Sequence, residues 1–176
     1  MNKSQKLIFV GGAPGVGKTA TCERLYRSMP DSIMLDGDDL WCRMNPFRID
    51  QRTISMIEKN ITTVLQNFLE AGFSTIILSW VLHKEKIVDR LLKSLGDRTF
   101  SFYWFTLVCD QDTLRSRWTS THSSSDDFKH ASARLQQTRL LTRSHIIDNT
   151  SISTEELVPI ITDRIQETGK CIQSIP

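Results

Sequence analysis

The chain has 176 residues, 39% of them apolar, enough for one compact domain with a sizeable core. Its 22 Lys and Arg stand against 20 Asp and Glu, a formal net charge of +2 with no block of like charge, so neither nucleic acid nor a membrane surface is indicated as a partner. Cys22, Cys42, Cys109 and Cys171 are scattered, form no C-x-x-C pair and fit no zinc spacing; they read as reduced thiols.

Met1-Asn2-Lys3-Ser4-Gln5-Lys6 leads into an apolar run without a cleavage signal. The longest apolar stretch, around 75–82, is too short to span a bilayer, and a cytoplasmic protein is expected. Leu7-Ile8-Phe9-Val10, closed by Gly11-Gly12, has the pattern of a buried parallel strand. A Gly-rich turn follows, then a helix over about 18–29 stopped by Pro30. A second strand at 32–35 ends in Asp36-Gly37-Asp38-Asp39, with a short helix at 40–44 after it. From 49 to 71, Ile54, Ile57, Ile61, Val64, Leu65 and Phe68 recur at three- and four-residue steps, the stripe of an amphipathic helix that Gly72 stops.

The third strand is predicted at 74–79. A helix over about 84–95 places Ile87, Val88, Leu91, Leu92 and Leu95 on one face, and Gly96 ends it. The fourth strand covers 100–108, with Trp104 alternating into the core, and a helix opens at 112–118. The Ser- and Thr-rich stretch 119–125 reads as a flexible loop, a lid more than a domain boundary. A polar helix over about 127–141 and a fifth strand at 145–147 follow. Ser153-Thr154-Glu155-Glu156 is a capping box for the last helix, where Pro159 predicts a kink or a later start. Strands alternating with helices predict an α/β domain over 1–176, its parallel sheet covered on both faces, with a lid at about 115–134.

Gly12-Ala13-Pro14-Gly15-Val16-Gly17-Lys18-Thr19 matches G-x-x-x-x-G-K-[ST] between a strand and a helix. A loop that wraps a phosphate with its N–H groups needs conformations that side chains block, hence Gly12, Gly15 and Gly17. The following helix, with Ala20 in its first turn as a further phosphate-binding candidate, adds its N-terminal dipole. Lys18 is expected to reach the β- and γ-phosphates and the Thr19 hydroxyl to ligate magnesium, which makes ATP with Mg2+ the expected ligand pair.

Asp36 and Asp38 stand two apart at the carboxyl end of a parallel strand, where such sheets bind ligands, and point the same way if the strand geometry continues. Asp36 is expected to hold magnesium through water and Asp38 to orient or deprotonate an acceptor hydroxyl. An acidic turn that merely caps the next helix is the structural alternative. The third strand ends in Ser79-Trp80 without the carboxylate that many P-loop ATPases place there, and no N-K-x-D guanine motif occurs; motor-type and GTPase-type machinery is not indicated.

The strand, phosphate loop, helix, strand and Asp36-Gly37-Asp38 together resemble the small-molecule kinases of the P-loop nucleoside-monophosphate-kinase-like group: gluconate, shikimate and adenylylsulfate kinases and chloramphenicol phosphotransferases. The resemblance extends through Val108-Cys109-Asp110 with Leu114 and Arg117 and through Ile147-Asp148-Asn149-Thr150 with Glu155-Glu156. It implies strand order 2-3-1-4-5, adenine held near the latter segment, and Arg117 as a nucleotide-contacting, catalytic arginine at the start of the lid. Asp36-Gly37-Asp38-Asp39-Leu40-Trp41 with Asn45 resembles gluconate kinases. Their next segment, G-x-P-L-x-D-x-D-R, is replaced by Asn45-Pro46-Phe47-Arg48, and the shikimate G-G-G motif is missing after the third strand.

Cations are needed around a migrating phosphoryl group. Arg43, Arg48 and Arg52 fall near the acceptor side, and Arg115, Arg117 and Arg134 near the lid, where Thr121 stands in place of a second lid arginine. Asp38, Arg43 and Trp80 are the expected acceptor contacts; Trp41, Phe47 and His83 either wall the same pocket or simply pack. The function expected is ATP-dependent phosphoryl transfer to a hydroxyl of a small molecule, by a monomer or homodimer. A nucleoside or nucleotide kinase is the first alternative, since Asp126-Asp127 with Arg134 is similar to adenylate kinase lids at a different spacing. An ATP-binding regulatory module without an acceptor is the second.

Overall fold

The computed structural model describes residues 5–41, 45, 46, 48–119 and 125–167. Its elements run β1 (Lys6–Gly12), α1 (Lys18–Ser28), β2 (Ser32–Asp36), a 3-10 helix (Gly37–Trp41), α2 (Gln51–Ala71), β3 (Thr75–Ser79), α3 (Glu85–Ser94), β4 (Ser101–Val108), α4 (Gln111–Thr119), α5 (Ser125–Thr138), β5 (His145–Asp148) and α6 (Thr154–Glu167). All strand pairs are parallel, in the order β2-β3-β1-β4-β5 that the resemblance implied.

The apolar run of β1 is buried on both faces because side chains alternate across a strand. Leu7 and Phe9 join the cluster under α2 and α3 with Ile76, Leu78, Trp80 and Trp104. Ile8 and Val10 join the opposite cluster with Cys22, Leu25, Leu135 and Ile161. Each fully buried Leu or Ile contributes about 1.5–3 kcal/mol, so the central strands hold the frame rigid. That frame lines up the carboxyl ends: Val10 pairs with Ser79, Asp36 with Ser79, and Gly12 with Leu107.

Several boundaries depart from the sequence reading. The helix expected from 49 starts at Gln51, where Asp50 and Thr53 form a reciprocal cap. Of the short helix expected at 40–44, residues 42–44 lie outside the described residues, and Leu40 and Trp41 belong to the 3-10 helix Gly37–Trp41. α5 ends at Thr138, and the chain tightens through Leu140 N–H to the Gln137 carbonyl and Leu141 N–H to Thr138, which turns Leu141 into the core. Of the expected lid, residues 120–124 lie outside the described residues, as do Cys42, Arg43, Phe47 and Cys171; α4 and α5 flank the gap. Ser153 and Glu156 form the predicted capping box. The last helix starts there and runs through Pro159, so the later start does not occur; a proline at that position removes one ladder bond without ending the helix.

Candidate functional site

The phosphate loop needs glycine at position 12 for a physical reason. Gly12 has φ 147°, and a Cβ there would lie 2.6 Å from the Leu107 carbonyl oxygen on β4. Gly17, at φ 99°, opens α1 without a side-chain cap, which leaves the first N–H groups of the helix for an anion. Ala13 and Val16 are fully buried and fix the loop to the core; Pro14 and Gly15 are partly exposed, and Thr19 and Ala20 are exposed on the first turn of α1.

Lys18 is 8% exposed and donates from Nζ to the Ala13 carbonyl at 3.0 Å. Burial pushes its pKa down, and the negative charges of Asp38 and then Asp36 partly offset that. Behind the loop, the Val16 carbonyl accepts from Asn149 Nδ2 at 2.8 Å and from Arg117 Nη1 at 3.2 Å. Arg117 Nη2 also donates to the Asn149 carbonyl at 2.9 Å. Arg117 is thus a strut between α4, the phosphate loop and the segment after β5.

On the other side, Thr19 Oγ1 donates to Asp36 Oδ2 at 2.6 Å, and Ser79 Oγ approaches the same oxygen at 3.4 Å. Ser79 therefore supports the carboxylate of the neighbouring strand. The chain leaves strand geometry at Asp36, so the alternation argument for Asp36 and Asp38 does not apply. Asp36 Oδ1 instead accepts the Asp38 N–H at 3.0 Å across the start of the 3-10 helix. Both carboxylates still face Lys18.

Asp38 is exposed at the crevice mouth yet walled by protein. That desolvation raises its pKa, Lys18 lowers it, Asp36 raises it, and hydrogen bonds from the Trp41 and Trp80 indoles favour the charged form. Trp80 itself is 6% exposed. It packs so closely on Gly37 that a Cβ there would sit 2.6 Å from its ring. The two tryptophans expected as pocket walls thus also border Asp38.

Of the remaining candidates, Arg48 and Arg52 are exposed and Arg115 lies over the Phe128 ring at 4.6 Å. Arg134 donates to Gln137 Oε1 at 2.8 Å. His83, half-buried, places Nδ1 3.2 Å from the Val81 carbonyl, and burial pushes its pKa down to about 4. Cys22 is buried below the site, where desolvation and then Asp36 push its thiol up. The structural role of Asn149, 2% exposed, was missed; its only signal was its place in Asp148-Asn149-Thr150 at a strand end. The close approach at Gly37 had no signal beyond a glycine between two acids.

Among the described residues, no helix is long and apolar enough to cross a membrane, and no group of three or more His, Cys, Asp or Glu side chains gathers as a metal site. A family model described as an AAA domain matches residues 8–134. No curated protein matches the chain. Among solved structures, the tunicamycin resistance protein of Deinococcus radiodurans superposes with a TM-score of 0.71 at 20% identity, over 96% of this chain and 98% of that one. A gluconokinase from Sinorhizobium meliloti 1021 gives 0.71 at 17%, over 96% and 97%. Thymidylate kinase from Candida albicans gives 0.67 at 15%, over 98% and 99%. At these identities the likeness is one of fold. The chain belongs to the AAA domain family and has the P-loop kinase fold.

Proposed function

We propose that the protein is an ATP-dependent phosphotransferase that moves the γ-phosphoryl group of ATP to a hydroxyl of a small molecule. The observation that carries this reading is the pair of carboxylates beside the phosphate loop, Asp36 bonded to Thr19 Oγ1 at 2.6 Å and Asp38 whose charge acts on Lys18. A loop that only bound nucleotide would need no carboxylate held there.

In this reading the loop from Gly12 to Thr19 and Ala20 holds the phosphates. Lys18 exchanges its Ala13 contact for phosphate oxygens, and Arg117 keeps the loop in shape beside the nucleotide. Thr19 and Asp36 supply hard oxygen donors that suit magnesium, together with phosphate oxygens and water. When bound, magnesium neutralises charge on the β- and γ-phosphates. The acceptor oxygen attacks the γ-phosphorus as the bond to the leaving ADP oxygen breaks, and its proton passes to the Asp38 carboxylate. Trp80 and Arg43 are assigned to the acceptor side.

The test is ADP release with Mg-ATP and hydroxylated acceptors, in wild type, Asp38→Asn and Lys18→Ala. Acceptor-stimulated release that Asp38→Asn removes while ATP still binds supports the reading. Release that Asp38→Asn leaves intact contradicts it.

A further inference from the structure

α2 and α3 pack side by side on one face of the sheet, where Ile57, Ile61 and Leu65 of the first and Ile87, Val88 and Leu91 of the second join one buried cluster. Over that seam runs a groove of about 410 Å³, lined only by residues of these two helices. Its floor is an ion pair: Glu58 accepts from Arg90 on both carboxylate oxygens, from Nε at 2.8 Å and from Nη2 at 2.5 Å. One and two turns further along the same stripe of α2, Thr62 donates its hydroxyl to the Glu58 carbonyl at 2.8 Å, and Gln66 Nε2 donates to the Ser94 carbonyl at 2.9 Å. These bonds hold the two helices together and satisfy the floor.

The walls are not satisfied. Lys59 of α2 and Lys93 of α3 line the same groove, are exposed, and have no hydrogen bond or ion pair among the described residues. No carboxylate of either helix is left to neutralise them. Glu58 is taken by Arg90, Glu70 by Arg98 at 2.7 Å, and Asp89 by Arg143 at 2.7 Å. Glu85 accepts from Thr142 and Arg143. The lining thus carries three cations, Lys59, Arg90 and Lys93, against the one anion Glu58. The excess is two ammonium groups, one on each helix. An ammonium is a flexible point charge that suits phosphate, and a groove of this volume falls within the range of about 300–1,000 Å³ that holds small molecules.

We propose that the groove between α2 and α3 is a second ligand site, which takes a small molecule bearing two phosphate groups, one held by Lys59 and the other by Lys93. The Thr63 hydroxyl, exposed on the same wall as Lys59, is a further donor. The site shares no residue with the phosphate loop or with Asp36 and Asp38. It therefore stands independently of the phosphotransfer reading.

Fructose 1,6-bisphosphate, fructose 6-phosphate and fructose serve as matched probes with two, one and no phosphate groups. Each is titrated calorimetrically into the protein holding a non-hydrolysable ATP analogue, which keeps the phosphate loop occupied. The bisphosphate should bind tightest and fructose weakest, and added salt should narrow the gap. Lys59→Gln and Lys93→Gln should each weaken the bisphosphate about threefold and the double variant about tenfold, whereas Lys59→Arg with Lys93→Arg should keep it. The bisphosphate should raise the melting temperature of the wild type and leave that of the double glutamine variant unmoved. Both lysines are exposed, so the unliganded variants should melt with the wild type. Lys18→Ala should leave the preference in place. No binding by any probe, equal binding by all three, a preference that survives the double glutamine variant, or one that Lys18→Ala removes, overturns the inference.

Discussion

Thr19 on α1 and Asp36 at the end of β2 are joined by a 2.6 Å hydrogen bond across the mouth of the phosphate loop. The contact couples the loop's last residue to the end of the strand that leads into the 3-10 helix carrying Asp38. If this pair holds magnesium with the phosphates, Asp36→Asn should raise the magnesium concentration needed for half-maximal ATP binding about 10–100-fold, the usual effect of losing a ligand-orienting carboxylate. A magnesium titration of nucleotide affinity reads this directly.

Asp38→Asn should lower acceptor-stimulated kcat about 10²–10⁴-fold with ATP affinity unchanged. The proton acceptor must be ionised, and burial raises the Asp38 pKa. The acidic limb of the kcat/KM profile should therefore lie above the ordinary carboxylate range, with activity lost as pH falls through it.

Gly37→Ala should be damaging for a steric reason. Its Cβ would lie 2.6 Å from the Trp80 ring, so the indole must shift and release Asp38. Overpacking of this kind costs about 1–3 kcal/mol. Urea melts should show that loss, and tryptophan fluorescence should change with it.

Asn149→Ala removes one of the two donors to Val16 and an acceptor for Arg117 Nη1. Leaving buried polar groups short of partners costs about 1–3 kcal/mol. Thermal melts should register it, and ATP binding should weaken because the loop loses its brace.

His83 gives stability a pH dependence. Its pKa is about 4 in the folded chain against an ordinary 6.5. Between those values the unfolded chain binds more protons, so the contribution is intact above about 6.5 and is lost as pH falls toward 4. His83→Gln should flatten the melting temperature across that window.

The phosphate loop was legible because its chemistry demands fixed residue types at fixed spacing. The strands and most helices were legible from apolar period. The end of α5 was not: Leu141 continues the apolar pattern, and only the tightened turn after Thr138 shows that it enters the core from outside the helix. The place of Trp80 beside Asp38 and the brace through Asn149 join residues far apart in the chain. No local pattern encodes such contacts.

The most direct test of phosphoryl transfer uses ATP labelled at the γ-phosphate and follows the label into a panel of sugar acids, nucleosides, nucleotides and hydroxylated antibiotics. The account predicts label on at least one acceptor class, abolished by Asp38→Asn. Tight, Lys18-dependent ATP binding with label appearing only in inorganic phosphate, at the same rate in wild type and Asp38→Asn, would contradict it.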